Sequence, residues 1–183
     1  MSETRVAVLV GSLRADSLNR KLAEKLGAEA PEGVVLDIVE GLEELPFYNE
    51  EIDGEQAPEA ATRIRAHVAG ADRVLVVTPE YNGTMPAVLN NAIDWLSRPY
   101  GAGALVAKPF AVVGTTPTPY GGRWAHADAN RSANIAGAVV LEDVTVSQPG
   151  VEVDVLADAE VQAKLQAALR SLVDYDAAPS SAA

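Results

Sequence analysis

The stretch DRVLVVTPEYNGTMPAVLNNAIDWLS, Asp72 to Ser97, places a strand, a loop and a helix in direct succession. Val74 to Val77 is a short apolar run without polar alternation, the pattern of a strand covered on both faces. Thr78 precedes a proline and so stays extended to the strand's end. Pro79 has no N–H and stiffens the exit. Further on, Val88, Leu89, Ala92, Ile93 and Leu96 recur at helical spacing, with Pro86 suited to the first turn and Thr84 to a cap. Trp95 lies one position past that stripe, open to core packing or to a subunit interface. Turn chemistry accounts for Asn82, Gly83 and Pro86. It does not account for Glu80 and Tyr81 beside them at a strand's carboxyl end. An aromatic face at Tyr81 and bare backbone at Gly83 suit the edge of a flat ligand.

Working outward, RVAVLV (Arg5 to Val10), PFAVVGT (Pro109 to Thr115) and AVVLEDVTV (Ala138 to Val146) read as further strands, and VVLDIVE (Val34 to Glu40) as an edge strand. Helical stripes lie between them, at Leu18, Leu22, Ala23 and Leu26, at Ala61, Ile64, Arg65 and Val68, and at Val161, Leu165, Ala168, Leu169 and Leu172. Gly122 to Ala136 is weakly amphipathic. The order βαβαβαβαβα predicts an α/β fold, a doubly wound five-stranded parallel sheet with helices on both faces. Ligands of such sheets bind beyond the carboxyl ends of the central strands. The loops after Val10, Val77 and Val113 meet there, and they are the richest in Gly, Ser, Thr, Pro and Asn. One domain is expected over residues 1–176, with Ala177 to Ala183 a fraying tail.

Composition narrows the function. Net charge is −12, from 14 basic and 26 acidic residues among 183, which argues against nucleic acid or anionic membranes as partners. With no cysteine, thiolate catalysis and Cys-ligated metals are excluded. His67 and His126 lack metal-ligand spacing and read as surface or helix residues. No signal segment and no membrane-length apolar run is evident, so a cytoplasmic protein is expected.

The first loop, GSLRADSLNR (Gly11 to Arg20), fits neither G-x-G-x-x-G nor G-x-x-x-x-G-K-[ST]. It still suits a phosphate: a helix N-terminus, short donors at Ser12, Ser17 and Asn19, and the planar fork of Arg14. The competing reading is an ordinary N-cap by Ser17 or Asp16, with Arg14 solvated.

G-S-L-R-x-x-S-x-N (Gly11 to Asn19), T-P-E-Y-N (Thr78 to Asn82), N-A-I-D-W-L-S-R (Asn91 to Arg98) and G-G-R (Gly121 to Arg123) occur in order. Together they resemble the NADPH-dependent FMN reductases of flavodoxin-like fold, in the branch with quinone, chromate and azo-dye reductases, over Arg5 to Leu172. The resemblance implies strand order 2-1-3-4-5, FMN as cofactor and NADPH or NADH as co-substrate. It puts the FMN phosphate at Ser12, Arg14, Ser17 and Asn19, and the flavin ring beside Pro79, Glu80, Tyr81, Asn82 and Gly83. Thr115, Thr116, Gly121 and Gly122 form the third contacting loop. It implies a homodimer or homotetramer with the Asn90 to Arg98 helix at the interface and Pro46 to Tyr48 near a neighbour's flavin. Hydride then passes through FMN to a small acceptor such as a quinone, an azo compound, chromate or flavin, with no catalytic side chain assigned. Tyr120 and Trp124 could cover the acceptor. The alternatives are a flavodoxin-type electron carrier and a non-catalytic flavin-binding partner protein. Where the family commonly reads G-G-x-R, Arg123 here follows Gly122 directly, and ANRSANIAGA downstream is more polar than the usual Leu-rich helix.

Overall fold

Strands with apolar residues on both sides need two covered faces, and the computed structural model, which describes residues 3–151 and 153–176, has them. β1 (Thr4–Val10) leads to α1 (Leu18–Ala28), β2 (Val34–Ile38) to α2 (Glu59–Ala69), and β3 (Arg73–Val77) to α3 (Ala87–Leu96). β4 (Pro109–Thr116) leads to α4 (Arg123–Ile135), followed by β5 (Val139–Val140), β6 (Val146–Pro149) and α5 (Ala159–Val173). The strands are parallel in the order β2-β1-β3-β4-β5, with β6 also on β4. The expected doubly wound flavodoxin-like sheet is therefore present. The proposed tail, Ala177 to Ala183, lies outside the described residues.

Alternate residues of each central strand enter different cores. Ala7, Leu9, Val74, Val76, Phe110 and Val112 pack beneath α2, α3 and α4. Val6, Val8, Leu75, Val77, Ala111 and Val113 pack beneath α1 and α5. Both alternating sets are buried, which is why these strands read as unbroken apolar runs. Val10 lies beside Val77 and Val77 beside Val113. That register brings three chain exits level at one edge of the sheet.

The fifth strand position differs from expectation. Ala138 to Val146 is not one strand: β5 pairs with Pro109 and Phe110, a 3-10 turn covers Glu142–Val144, and β6 pairs with Val113 to Thr116. An edge has only one neighbour to satisfy, so the acidic pair Glu142-Asp143 can turn out to solvent while the chain rejoins β4 further along.

Trp95 is fully buried, so it does not face another subunit. Its indole N–H donates to the Pro46 carbonyl at 2.8 Å, Tyr48 meets it edge-on at 5.0 Å, and the Arg65 guanidinium lies 5.2 Å from its ring. Asn91 also holds the Pro46 carbonyl and the Tyr48 N–H. The same contacts leave Phe47 82% exposed. Thr84 does not cap α3. The capping position is Pro86, without a side-chain bond, and the Thr84 hydroxyl donates to Asp128 at 2.6 Å.

Candidate functional site

The three exits form one welded mouth. After β1, the Gly11 N–H bonds the Val77 carbonyl at 3.0 Å, and a Cβ at Gly11 would fall 2.1 Å from the Thr78 hydroxyl. Only glycine lets the chains run that close. α1 begins at once. Ser17 caps it, accepting from the Arg20 N–H at 3.2 Å, so the local reading of Ser17 holds; its hydroxyl hydrogen stays available to a ligand. No acidic residue lies in the first turn of α1. The Leu18 and Asn19 amides have no intrahelical acceptor, and the positive end of the helix faces the mouth uncompensated. Asp16 is not the cap: it pairs with Lys21, which holds its carboxyl below the usual carboxylate range. Arg14 is exposed, touching only the Asp16 carbonyl at 3.2 Å, and Ser12 is half-buried.

Asn19 is 4% exposed, and its amide is occupied. Nδ2 donates to the Thr115 carbonyl at 2.9 Å and Oδ1 accepts from the Thr115 N–H at 3.0 Å. The side chain expected to meet a phosphate instead staples α1 to the end of β4.

The second loop is a rigid lip. Tyr81 and Thr84 exchange backbone hydrogen bonds of 3.0 and 3.1 Å across Asn82 and Gly83, both at positive φ, which is the two-residue hairpin turn that Asn-Gly favours. Pro79 is buried, while Tyr81, Asn82 and Gly83 are exposed at the tip. Glu80, unexplained by turn chemistry, has a definite place. Its Oε2 accepts from the Trp124 N–H at 2.9 Å and the Ala125 N–H at 3.2 Å. α4 starts at Gly122 in the left-handed region with no side-chain cap of its own, so Glu80 caps it from the neighbouring loop.

In the third loop, Thr115 and Thr116 are buried and the Thr115 hydroxyl donates to the Gln148 carbonyl at 2.8 Å. Gly121 and Gly122 are buried at positive φ; at Gly121 a Cβ would fall 2.5 Å from the Ser147 carbonyl. Tyr120 and Trp124 stand half-exposed with ring centroids 4.7 Å apart, and the Arg123 guanidinium lies 5.0 and 4.4 Å from those two rings. Stacking of this kind orients the cation without neutralising it.

Beneath the mouth sits His126; of the two places expected for it, surface or helix, it takes the helix, on the fully buried face of α4. Nε2 lies 3.1 Å from the Thr78 carbonyl and Nδ1 2.7 Å from the Ser147 hydroxyl. Burial holds its pKa below the ordinary value, against the opposing pull of the Thr78 carbonyl and Glu80. A neutral ring donating from Nε2 and accepting at Nδ1 satisfies both partners. The motif spacing carried no signal for it. Its signal was the helical stripe it shares with Ala129, Asn130 and Ala133.

Ser12, Arg14, Ser17, Pro79 to Gly83 and the third-loop residues thus converge, with Asn19 and Glu80 as fastenings between them. Among the described residues no cluster could hold a metal ion. The donor set suits a phosphate at α1 and a planar group against the lip.

Known proteins resemble this chain over most of its described length. Residues 4–152 match the model of a family described as NADPH-dependent FMN reductase. A quinone reductase of Pseudomonas putida is 51% identical over 117 residues, 64% of this chain and 62% of that protein. A 2-hydroxy-1,4-benzoquinone reductase of Burkholderia is 46% identical over 112 residues, 61% of this chain and 60% of that one. The aligned part therefore spans about three-fifths of those relatives. Among solved structures, FerB from Paracoccus denitrificans, a flavoenzyme NAD(P)H:(acceptor) oxidoreductase, superposes with TM-score 0.83 at 33% identity over 94% of this chain and 96% of its own.

Proposed function

The chain belongs to the family of NADPH-dependent FMN reductases, and on that premise we propose that it holds FMN across the three loops and uses NAD(P)H to reduce small flat acceptors of the quinone class. The observation that carries this reading is the uncompensated N-terminus of α1, on the chain that Gly11 ties to the end of β3, where the hydrogen-bonded lip begins. The free first-turn amides of α1, the Ser12 and Ser17 hydroxyls and the Arg14 fork bind the phosphate. Pro79 to Gly83 border the ring on one side, and Thr115, Thr116, Gly121 and Gly122 on the other.

Bound FMN supplies the hydride acceptor and two-electron donor, so that quinone, NAD(P)H and a proton give hydroquinone and NAD(P)+. The chain's own part is binding and orientation. The welded loops fix the faces of the site, and its backbone N–H groups favour negative charge on the ring edge. His126 moves no proton in this scheme, because both ring nitrogens are engaged below the mouth.

The protein acts in the cytoplasm, where NAD(P)H is made, as a homodimer or homotetramer. Exposed Phe47, Tyr100 and Ile135 around α3 and α4 support the assembly, and light scattering during gel filtration tests it. Stopped-flow mixing with NADPH and NADH tests the activity. Loss of the flavin's visible absorbance within seconds, followed by reoxidation with benzoquinone, is expected; a flavin that neither nucleotide bleaches overturns the reading.

A further inference from the structure

NAD(P)H is a two-part ligand: its nicotinamide must reach the mouth while its pyrophosphate and adenosine lie elsewhere. On a chain of net charge −12, most surface repels a pyrophosphate. One groove starts at Arg123, directly after Gly122 of the third loop. It encloses about 460 Å³ along α4, lined by Arg123, Asn130, Arg131 and Asn134 on the helix and by Glu142 and Thr145 on the facing segment. Four other cavities, centred near Ile93, His67, Ala102 and Ile38, include neither Arg123 nor any residue of the three loops.

The groove wall is the stretch that departs from the family's Leu-rich pattern. Arg123, Asn130, Arg131 and Asn134 fall on one helical stripe, and the two arginines, eight residues apart, stand about 12 Å apart along the axis. Arg123 has no carboxylate partner among the described residues. Glu80, the acid nearest it in the mouth, is turned to the Trp124 and Ala125 amides, and two aromatic rings hold the guanidinium in place. Arg131 is tied to Asp128 at 2.7 Å, but its own side chain is largely exposed, and Asp128 is shared with the Thr84 hydroxyl, so the pair is partly screened. Across the groove Asn130 Nδ2 donates to the Thr145 hydroxyl at 3.0 Å, leaving the hydroxyl hydrogen to donate outward. The Asn130 Oδ1 has no donor among the described residues.

We infer that this groove seats the adenosine diphosphate half of the pyridine dinucleotide, an assignment that rests on the reductase reading above. Arg123 meets the pyrophosphate where the ligand leaves the mouth. Arg131, Asn134 and Thr145 offer donors further along, and Glu142 accepts from ribose hydroxyls.

The test is calorimetric titration of the full-length, FMN-loaded protein with 5′-ADP, so that the phosphate loop is already filled. Arg123→Gln should weaken ADP about tenfold, Arg123→Lys should recover part of that, and Thr145→Val should cost about threefold. FMN affinity, followed by fluorescence, should stay within about twofold. In steady state Arg123→Gln should raise KM for NAD(P)H and leave KM for benzoquinone in place. The inference is overturned if 5′-ADP does not compete with NAD(P)H, or if Arg123→Gln raises KM for the quinone instead. A protein that binds 5′-ADP through Arg123 but is reduced by neither nucleotide would sink the reductase reading and leave the groove standing.

Discussion

Two helices begin at the mouth, and they begin in opposite ways. α1 is capped by its own Ser17, three residues before the amide it accepts from, and has no acid in its first turn. α4 starts at a glycine, and its first amides are capped by Glu80, which lies 44 residues earlier. One positive helix end is therefore left open to an anion, while the other is closed by a carboxylate. Of the two helix N-termini, only that of α1 offers unbonded first-turn amides to an anion; the amides of α4 are taken by Glu80 and hold the lip and the third loop together.

The comparison breaks most completely at the point both helices share. A Cβ at Gly114 would meet the Thr78 carbonyl at 2.1 Å, with Asn19 Oδ1 and His126 Nε2 each at 3.0 Å. Backbone cannot yield there cheaply, so Gly114→Ala should destabilise the fold by about 3 kcal/mol, read as a lowered urea midpoint at unchanged slope. Gly83 is the control of the same residue type: nothing lies within 4 Å of its added Cβ, and only its positive φ resists substitution. Gly83→Ala should cost about 1 kcal/mol.

Next in size is the open helix end. Arg14→Ala should weaken FMN by about 2 kcal/mol and riboflavin hardly at all, because only FMN carries the phosphate. Fluorescence titration with both ligands checks it, and equal losses would make Arg14 structural. At the closed end, Glu80→Ala leaves two first-turn amides without an acceptor, and should cost about 1.5 kcal/mol of stability. Trp124 follows the change directly, so its near-ultraviolet dichroism should weaken. Glu80→Gln keeps an acceptor oxygen and should fall between, since the helix end loses its counter-charge but not its bond. If Glu80→Ala left the Trp124 signal intact, the closed end would not depend on the carboxylate.

How each helix start is built also decides how legible it was. Ser17 and Arg20 are three residues apart, so capping was readable locally. The central strands were readable because both their alternating sets of side chains are buried. Glu80 to Trp124, Asn19 to Thr115 and His126 to Thr78 are long-range pairings, 44, 96 and 48 residues apart, and no local pattern encodes them. Hence the same motifs that marked the mouth misdirected two roles: the Asn19 amide holds Thr115, and Thr84 bonds Asp128 in place of a cap. Of the two readings open for Trp95, core packing is the one present, with its indole turned inward to Pro46. The split fifth strand was hidden for another reason. Val139, Val140, Val144 and Val146 keep strand-like composition across the break, and only the choice of partner on β4 reveals the turn between them.

The smallest expected effect lies under both helix starts, at His126. Its pKa is held below the ordinary 6.5 chiefly by burial. In the unfolded chain the ring takes up a proton as pH falls through about 6.5, while in the fold it resists doing so. The unfolded state then binds more protons, and stability declines with falling pH. The contribution of His126 is therefore fully present above pH 6.5 and is lost progressively below it, toward the depressed folded value. Replacement by Gln, which keeps a donor and an acceptor but does not titrate, should lower stability at neutral pH through imperfect fit to Thr78 and Ser147. It should also flatten the slope between pH 7 and pH 5. Urea unfolding of both proteins across that range checks it. Parallel curves would mean that the carbonyl of Thr78 and the charge of Glu80 offset the burial of the ring, and that the junction between lip and third loop is indifferent to protons.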